Sequence, residues 1–478
     1  MEDRDERELV VIGGGSAGLV ASRTAASFGA DTLLIEGARL GGDCLWTGCV
    51  PSKSLIAAAS ALTIARNSPH LGVETDAVRL DFAAAMRHVH GAMNTIAPVD
   101  SPEVLALAGV AVLRGNARFT GPRSISVDGR EITFGQVIIA TGGSPAVPQI
   151  DGIGSVDLLT SETVWDLTEL PERLVVLGGG AIGCEIAQAM ARFGSAVTIV
   201  HRGDRLLAKE EPRASAIVRV ALEADGVTVL TGRQCTSISG DGRGRGGAVT
   251  LDDGSVVAFD AILAATGRRP NTGSLDAHRA GVELDDAGNV VVNAKLRTAN
   301  PRIWAAGDVT ALPKFTHTAG VNGSIAASNA VLGLSRTVDS VAVPRVTFTH
   351  PEVGSVGVVQ ADAAARGLVV RTIEHDDLDR AIAEGATSGY TQLLVDGKGR
   401  LRGATIVGPR AGESLGEVSL AISRGLKTSD IASTTHAYPT FNDAVWNAAV
   451  ADVRARLNQG ATKRATVMLR RLRRLRLR

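Results

Sequence analysis

Two stretches of the chain share one pattern of apolar and polar positions. In "ELVVIGGGSAGLVASRTAASFGADTLLIE" an apolar run, Leu9–Ile12, meets a glycine turn, then an alanine-rich stretch with helical spacing, then a second apolar run, "TLLIE". The stretch "RLVVLGGGAIGCEIAQAMARFGSAVTIVHR", from Arg173 to Arg202, repeats that order. Short apolar runs bounded by glycine and separated by a helical period read as buried strands of a βαβ unit. Two such units predict two nucleotide-binding regions. Each closes on a strand and turn, "QVIIATGG" (Gln136–Gly143) and "AILAATGRRPN" (Ala261–Asn271).

"SPAVPQIDGIG" reads as a linker between the two regions, and "IWAAGDVT" as the return of the chain to the first. From about Pro344 the pattern mixes strands and helices, as in "RVTFTHPEVGSVG", "TQLLVD" and "LRGATIVG". The expected fold class is therefore α/β, with two Rossmann-like dinucleotide-binding domains plus a C-terminal α+β domain. The expected boundaries are 1–150, 151–275, a return over 276–343, 344–458, and a basic tail over 459–478. A chain of 478 residues is too long for a single core, which agrees with several domains.

Charge alters this picture at the ends only. Fifty Lys and Arg balance fifty Asp and Glu, so the whole chain has no electrostatic pull toward nucleic acid, and none is expected as a partner. The opening "MEDRDERE" is charged and has no apolar core, unlike a secretory signal. No run of about 18 apolar residues occurs, so no spanning helix is expected. The tail "LRRLRRLRLR" places Leu469, Leu472 and Leu475 every three residues among arginines. It reads first as a frayed, solvated terminus. Contact of one apolar helical face with an anionic membrane is the lesser expectation. Four cysteines do not make a disulfide scaffold, and the expected location is cytoplasmic.

The glycine turns carry the first candidate chemistry. Gly13, Gly15 and Gly18 follow a strand and open a helix, which lets a pyrophosphate approach the backbone and face the helix N-terminus. Glu36 ends the following strand, where a carboxylate accepts hydrogen bonds from a ribose. In the second loop the glycines are Gly178, Gly180 and Gly183, but the strand ends on His201 and Arg202, with Arg205 close by. Basic groups there suit a 2′-phosphate, so NADPH is expected, with NADH left open.

The second candidate is "GGDCLWTGCVPSK", Gly41–Lys53, which holds Cys44 and Cys49. A structural zinc needs four ligands, and Cys184 and Cys235 lie far away in sequence. A structural disulfide is unusual in a reducing compartment. A redox pair has a mechanism. Pro51 fits the first turn of a helix, which puts Cys49 near a helix N-terminus that favours thiolate. Cys184 and Cys235 read as small buried filler.

With these motifs the chain resembles the FAD-dependent pyridine nucleotide-disulfide oxidoreductases, a family that includes dihydrolipoamide dehydrogenase, glutathione reductase and mercuric reductase. The resemblance spans about residues 8–455 and rests on both loops, "GGDCLWTGCVPSK", "IIATG", "ATGRRPN", "AAGDV", "THPEVGSVG" and "GATIVGPRAGE". It implies FAD on the first loop, a nicotinamide nucleotide on the second, and a homodimer made by the C-terminal domain. It implies that Ala117, Thr141, Gly142 and Asp308 touch FAD, and that Gly267 lies near the nicotinamide nucleotide. It implies that Cys49 is the thiolate against the flavin and Cys44 the interchange thiol. Lys53 is then the lysine beside the flavin and Glu185 its ion-pair partner.

The sequence departs from that pattern in the C-terminal loop. Where the family's disulfide reductases carry an acid/base histidine, contributed to the partner subunit's thiols, and a glutamate five residues on, "THAYPTFNDAVW" places Tyr438 and Asp443. A phenol with an ordinary pKa near 10 is a poor base at neutral pH. His436, two positions earlier, is read as structural in preference to catalytic. Mercuric reductases resemble this chain here, but they deliver metal through a C-terminal cysteine pair that this tail lacks, so efficient mercury reduction is not expected. Trp46 and Thr47 replace the commoner Asn-Val between the cysteines. The expected activity is NAD(P)H oxidation, with electrons passed through FAD and Cys44–Cys49 to a small-molecule acceptor: a small disulfide, a thiol-bound metal or a related species. The alternatives are a dihydrolipoamide dehydrogenase, a quinone reductase and a redox-sensing flavoprotein.

Overall fold

The computed structural model describes residues 5–74, 78–242 and 246–477; residues 1–4 of the charged opening and residue 478 of the tail lie outside them. It forms two compact units. One holds the chain up to residue 202 together with 225–338, and the other holds 203–224 together with 339 onward.

The first unit opens with β1 (Asp5–Ile12), α1 (Ser16–Ser27) and β2 (Thr32–Glu36). Leu9, Val10 and Val11 have no exposed surface, as expected of a parallel strand covered on both faces. β3 (Val110–Arg114), β4 (Ala117–Gly121), β5 (Ser124–Val127) and β6 (Arg130–Ile139) complete a sheet in the order β3-β2-β1-β6-β5-β4. The strand Ile303–Ala305 joins it in parallel with the end of β6, so the returning chain does rejoin the first sheet. A second, all-parallel sheet runs in the order 228–231, 196–201, 173–177, 261–264, 158–160. The stretch read as a linker begins with a short strand, Gly143–Pro145, paired antiparallel to Arg268–Pro270.

Two helix contacts position the site. Helix Thr316–Leu332 packs on α1 so closely that a Cβ at Gly323 would stand 2.3 Å from the Ala17 carbonyl oxygen. That contact brings the N-terminus of helix Thr316–Leu332 toward the cysteine loop. α2 (Gly42–Trp46) and α3 (Cys49–Asn67) carry the cysteines, and α3 packs on α4 (Phe82–Ile96) and on helix Ala181–Phe193. The stretch Gly42–Arg66 is long and apolar enough, by length and composition, to cross a membrane, contrary to the expectation from apolar runs. Its apolar character belongs instead to a helix seated among other helices and carrying Cys44, Cys49 and Lys53.

The second unit is built on a five-stranded antiparallel sheet, in the order 345–347, 352–357, 401–408, 390–395, 369–374. Helices Ala411–Ser423 and Asp443–Leu457 share a core with it around Leu393, Leu415, Val418, Val445 and Ala448. Residues 203–224 group with this unit through ion pairs. Arg345 Nε binds Glu210 at 2.7 Å, and the Arg213 guanidinium meets Glu374 at 2.7 Å. The basic tail is not a frayed end: Gly460–Arg476 is a helix of 17 residues.

Candidate active site

In both nucleotide loops the glycines divide into two kinds. A Cβ at Gly18 would stand 1.8 Å from the Gly13 carbonyl oxygen, and one at Gly183 would stand 2.1 Å from that of Gly178. The protein itself forbids a side chain at those positions. A Cβ at Gly15 would meet only the Gly42 Cα, at 3.8 Å, and one at Gly180 would meet nothing within 4 Å. Those glycines line open space at a helix N-terminus, the cradle that a pyrophosphate needs. Glu36 also fits an adenosine ribose. Its Oε2 accepts from the Gly14 N–H at 2.5 Å and its Oε1 from the Ala38 N–H at 2.6 Å, which fixes the carboxylate at the mouth of the loop. The residues present therefore fit FAD on the first loop.

His201 takes the corresponding place in the second loop. Its Nδ1 accepts from the Gly179 N–H at 3.2 Å. His201 thus braces the loop through a ring nitrogen that accepts from the backbone. Arg202 is exposed beside it. Gly267 has a positive φ of 127° with open space around it, and its carbonyl accepts from the Ala146 N–H.

Cys44 lies midway along the five-residue α2, and Cys49 starts the next helix. Cys49 is the first residue of α3, and its Sγ lies 3.1 Å from Thr316 Oγ1, at the start of the helix packed on α1. The strongest influence on Cys49 is a hydrogen bond from the Cys44 thiol. With help from Thr316 and the charge of Lys53, against burial, it lowers the Cys49 pKa to about 6. The same hydrogen bond, together with burial and the charge of Cys49, pushes the Cys44 thiol far above its ordinary range. In the dithiol state Cys49 is the thiolate and Cys44 holds the proton. Cys184 and Cys235 are buried, and burial raises both; Cys235 reaches about 11.

Lys53 Nζ binds Glu185 Oε2 at 2.8 Å, and Glu185 is nearly buried. Arg268 lies between two acids. Its Nη1 is 3.3 Å from Asp43 Oδ2 and its Nε is 3.3 Å from Asp308 Oδ2. Burial raises the Asp308 carboxyl above its usual range, opposed by Arg268. Thr141 Oγ1 donates to the Asn271 carbonyl at 2.7 Å, and Asn271 N–H donates to the Gly142 carbonyl at 3.0 Å, so the two strand-end turns fasten each other. Ala117 is buried at the start of β4, where only its backbone can meet a ligand. Trp46 donates to the Leu40 carbonyl at 2.7 Å under the Arg39 guanidinium, and Thr47 donates to Asp43 Oδ1 at 2.6 Å; both residues shape the cysteine loop. Thr316 and Arg268 were not among the residues singled out from sequence. Arg268 lies inside the "ATGRRPN" motif, whereas nothing around Thr316 signals its role.

The C-terminal loop lines a cavity of about 530 Å³ whose walls include Asp379, His436, Tyr438, Asp443 and Trp446. Tyr438 is 72% exposed, and its hydroxyl donates to Asp379. Asp443, aligned with the family glutamate, does not hold Tyr438: its Oδ2 accepts from the Thr440 N–H at 2.9 Å at the start of its own helix. His436 faces two acceptors. Its Nδ1 lies 2.9 Å from the Thr434 carbonyl and its Nε2 lies 2.9 Å from Glu417 Oε1. Satisfying both requires a proton on each nitrogen, and Glu417 holds the His436 pKa above its usual value against the effect of burial. Asn442 Nδ2 donates to the other Glu417 oxygen at 2.7 Å, so Glu417 ties His436 and Asn442 together in the loop.

The sequence model for pyridine nucleotide-disulphide oxidoreductases matches residues 7–323, and the model for the dimerisation domain of these enzymes matches residues 343–449. A mercuric reductase of Streptomyces lividans is 37% identical over 448 residues, covering 92% of this chain and 94% of that protein. A dihydrolipoyl dehydrogenase of Geobacillus stearothermophilus is 34% identical over 456 residues, covering 93% and 96%. In three dimensions the chain is similar to the HOCl-induced flavoprotein disulfide reductase RclA of Escherichia coli, solved as a Cu(II) complex. The TM-score is 0.84 at 28% identity, covering 94% of this chain and 99% of that one.

The two kinds of glycine predict different losses. Gly15→Ala should leave the melting temperature of flavin-stripped protein nearly unchanged but lower the flavin-to-protein absorbance ratio. Gly18→Ala should destabilise the stripped protein itself, by about 1–3 kcal/mol. Equal effects of the two would show that both glycines serve the fold alone. For the thiols, iodoacetamide alkylation of Cys49 in reduced protein should titrate with a midpoint of about 6. Cys44→Ala removes the largest cause of that shift and should move the midpoint up toward the ordinary range near 8.5. An unmoved midpoint would assign the thiolate to Lys53 and the helix ends instead.

Proposed function

The chain belongs to the pyridine nucleotide-disulphide oxidoreductase family, whose FAD- and NAD(P)H-dependent members work as homodimers, and from that premise we propose that it reduces a soft, thiophilic metal ion such as mercuric ion. No cysteine follows Cys235 to relay the ion, so it arrives as a complex with small thiols, which Cys44 and Cys49 displace and which leave as free thiols; delivery is then slower than through a cysteine pair, but the reduction itself uses the same two sulfurs. The observation that carries this reading is the proton balance of the thiols and the C-terminal loop. Cys44 holds its proton tightly. The imidazole that could remove it, His436, is fixed between Thr434 and Glu417. The phenol at the family's acid/base position, Tyr438, points its proton at Asp379. Thiol–disulfide exchange needs a base to free the attacking thiolate. A soft cation needs none, because coordination itself displaces the thiol proton.

Cys49 binds first, being the thiolate at neutral pH, and Cys44 follows with release of its proton. Bound FAD supplies the two-electron relay between the nicotinamide and the thiols. One NAD(P)H and one divalent mercuric ion yield NAD(P)⁺, metallic mercury and one proton, and both cysteines return to the dithiol state. Lys53, oriented by Glu185, takes the position beside the flavin that the resemblance gives it. Tyr438 stays neutral and offers its oxygen as an acceptor. NADPH is preferred through the exposed Arg202, with His201 bracing the loop. The mercuric reductase relatives and the RclA structure with Cu(II) support a metal acceptor.

NAD(P)H oxidation by the holoenzyme, measured with thiol-complexed Hg(II), Cu(II), lipoamide, glutathione disulfide and a quinone, tests the reading. Hg(II) turnover should exceed lipoamide turnover by at least about tenfold, a difference of about 1.4 kcal/mol in barrier. Cys44→Ala should abolish it and spare quinone reduction. Faster turnover of lipoamide would replace the reading with a dihydrolipoamide dehydrogenase. The phenol can be followed directly, because the chain has two tyrosines and Tyr390 is buried with its ionisation pushed upward. Asp379 also raises Tyr438. Asp379→Asn should therefore bring the onset of phenolate absorbance to lower pH, and an unchanged onset would break the pairing.

A further inference from the structure

We propose that the C-terminal helix Gly460–Arg476 is a membrane-docking element that lays its apolar face on an anionic lipid bilayer. Its sequence is "GATKRATVMLRRLRRLR". At about 100° per residue, Ala465, Met468, Leu469, Leu472 and Leu475 fall on one arc of the helix. Lys463, Arg464, Arg470, Arg471, Arg473 and Arg474 lie on the rest together with Val467, and Arg476 interrupts the apolar arc only at the last residue of the helix. The apolar arc is uncovered, with Met468 57%, Leu469 63%, Leu472 48% and Leu475 69% exposed. A helix with a narrow apolar face and a broad cationic face lies in the plane of a bilayer interface and does not cross it.

Charge identifies the occupant. No Asp or Glu follows Asp452, and the segment from residue 460 onward holds eight of the chain's fifty cationic residues. The zero net charge of the chain therefore conceals a body with eight excess acids and a tail with eight cations. Among the described residues no ion pair engages a cation of this helix. Arginine guanidinium groups bind phosphate oxygens in pairs, which suits the headgroups of an anionic leaflet. Nucleic acid offers the same phosphates but no seat for four exposed Met and Leu side chains. A homodimer presents the helix twice, so the two contacts reinforce each other. From sequence alone membrane contact is the lesser expectation, because the three-residue leucine spacing is ambiguous until a helix is formed.

Co-sedimentation of the full-length holoenzyme with vesicles tests the proposal. The protein should pellet with phosphatidylglycerol–phosphatidylcholine vesicles and stay in solution with pure phosphatidylcholine. Raising salt about tenfold should weaken binding by roughly an order of magnitude. Replacing the apolar arc, Leu472→Glu with Leu475→Glu, should abolish pelleting while flavin content and NADPH oxidation stay as in the parent. Failure to pellet with anionic vesicles overturns the proposal. So does pelleting that survives both Leu→Glu changes, which would leave only nonspecific charge attraction. Binding of a DNA duplex that is tighter than vesicle binding and indifferent to those changes would reassign the helix to nucleic acid.

Discussion

The hydrogen bond from the Cys44 thiol to Cys49 is the interaction on which the chemistry of the first unit depends. It is the largest cause of the lowered Cys49 pKa, and Thr316 and Lys53 add to it. Cys49 begins α3, and Thr316 begins the helix that packs against α1. The Thr316 hydroxyl is held beside the sulfur by that packing, which is close enough that a Cβ at Gly323 would stand 2.3 Å from the Ala17 carbonyl oxygen. The small residues of α1 and its neighbour, which look like featureless alanine and glycine in sequence, thus place one of the groups that lower the proton affinity of a thiol that neither helix contains.

Much of this was legible in the sequence. The βαβ pattern, the glycine loops and the cysteine pair rest on short local spacing, whereas the pairing of Lys53 with Glu185, 132 residues apart, was implied by the family resemblance alone. What was not legible depends on long-range contact. Asp379 lies 59 residues before Tyr438, and no periodicity links them. Asp443 sits at a matching spacing, yet in the fold it is used up in starting its own helix. Thr316 lies 267 positions after Cys49. The helix of the tail was less legible for another reason: leucines every three residues fit a coil and a helix alike, and backbone hydrogen bonding decides between them.

The C-terminal loop shows how a shared architecture can change its proton chemistry through neighbours alone. The loop still contains a histidine, a carboxylate and a phenol within one cavity. Their pairing determines what each can do. The imidazole sits between a carbonyl and a carboxylate that raises its pKa, and a carboxylate raises that of the phenol. On the proposed reading, neither group is arranged to take a proton from a thiol.

The two nucleotide loops are built alike and closed differently, by the Glu36 carboxylate in one and the His201 ring in the other. Both closures span 22 residues, from the end of a strand back to the glycine turn that precedes its helix. A substitution at Glu36 or His201 therefore disturbs the backbone of the turn as well as the strand end that carries it.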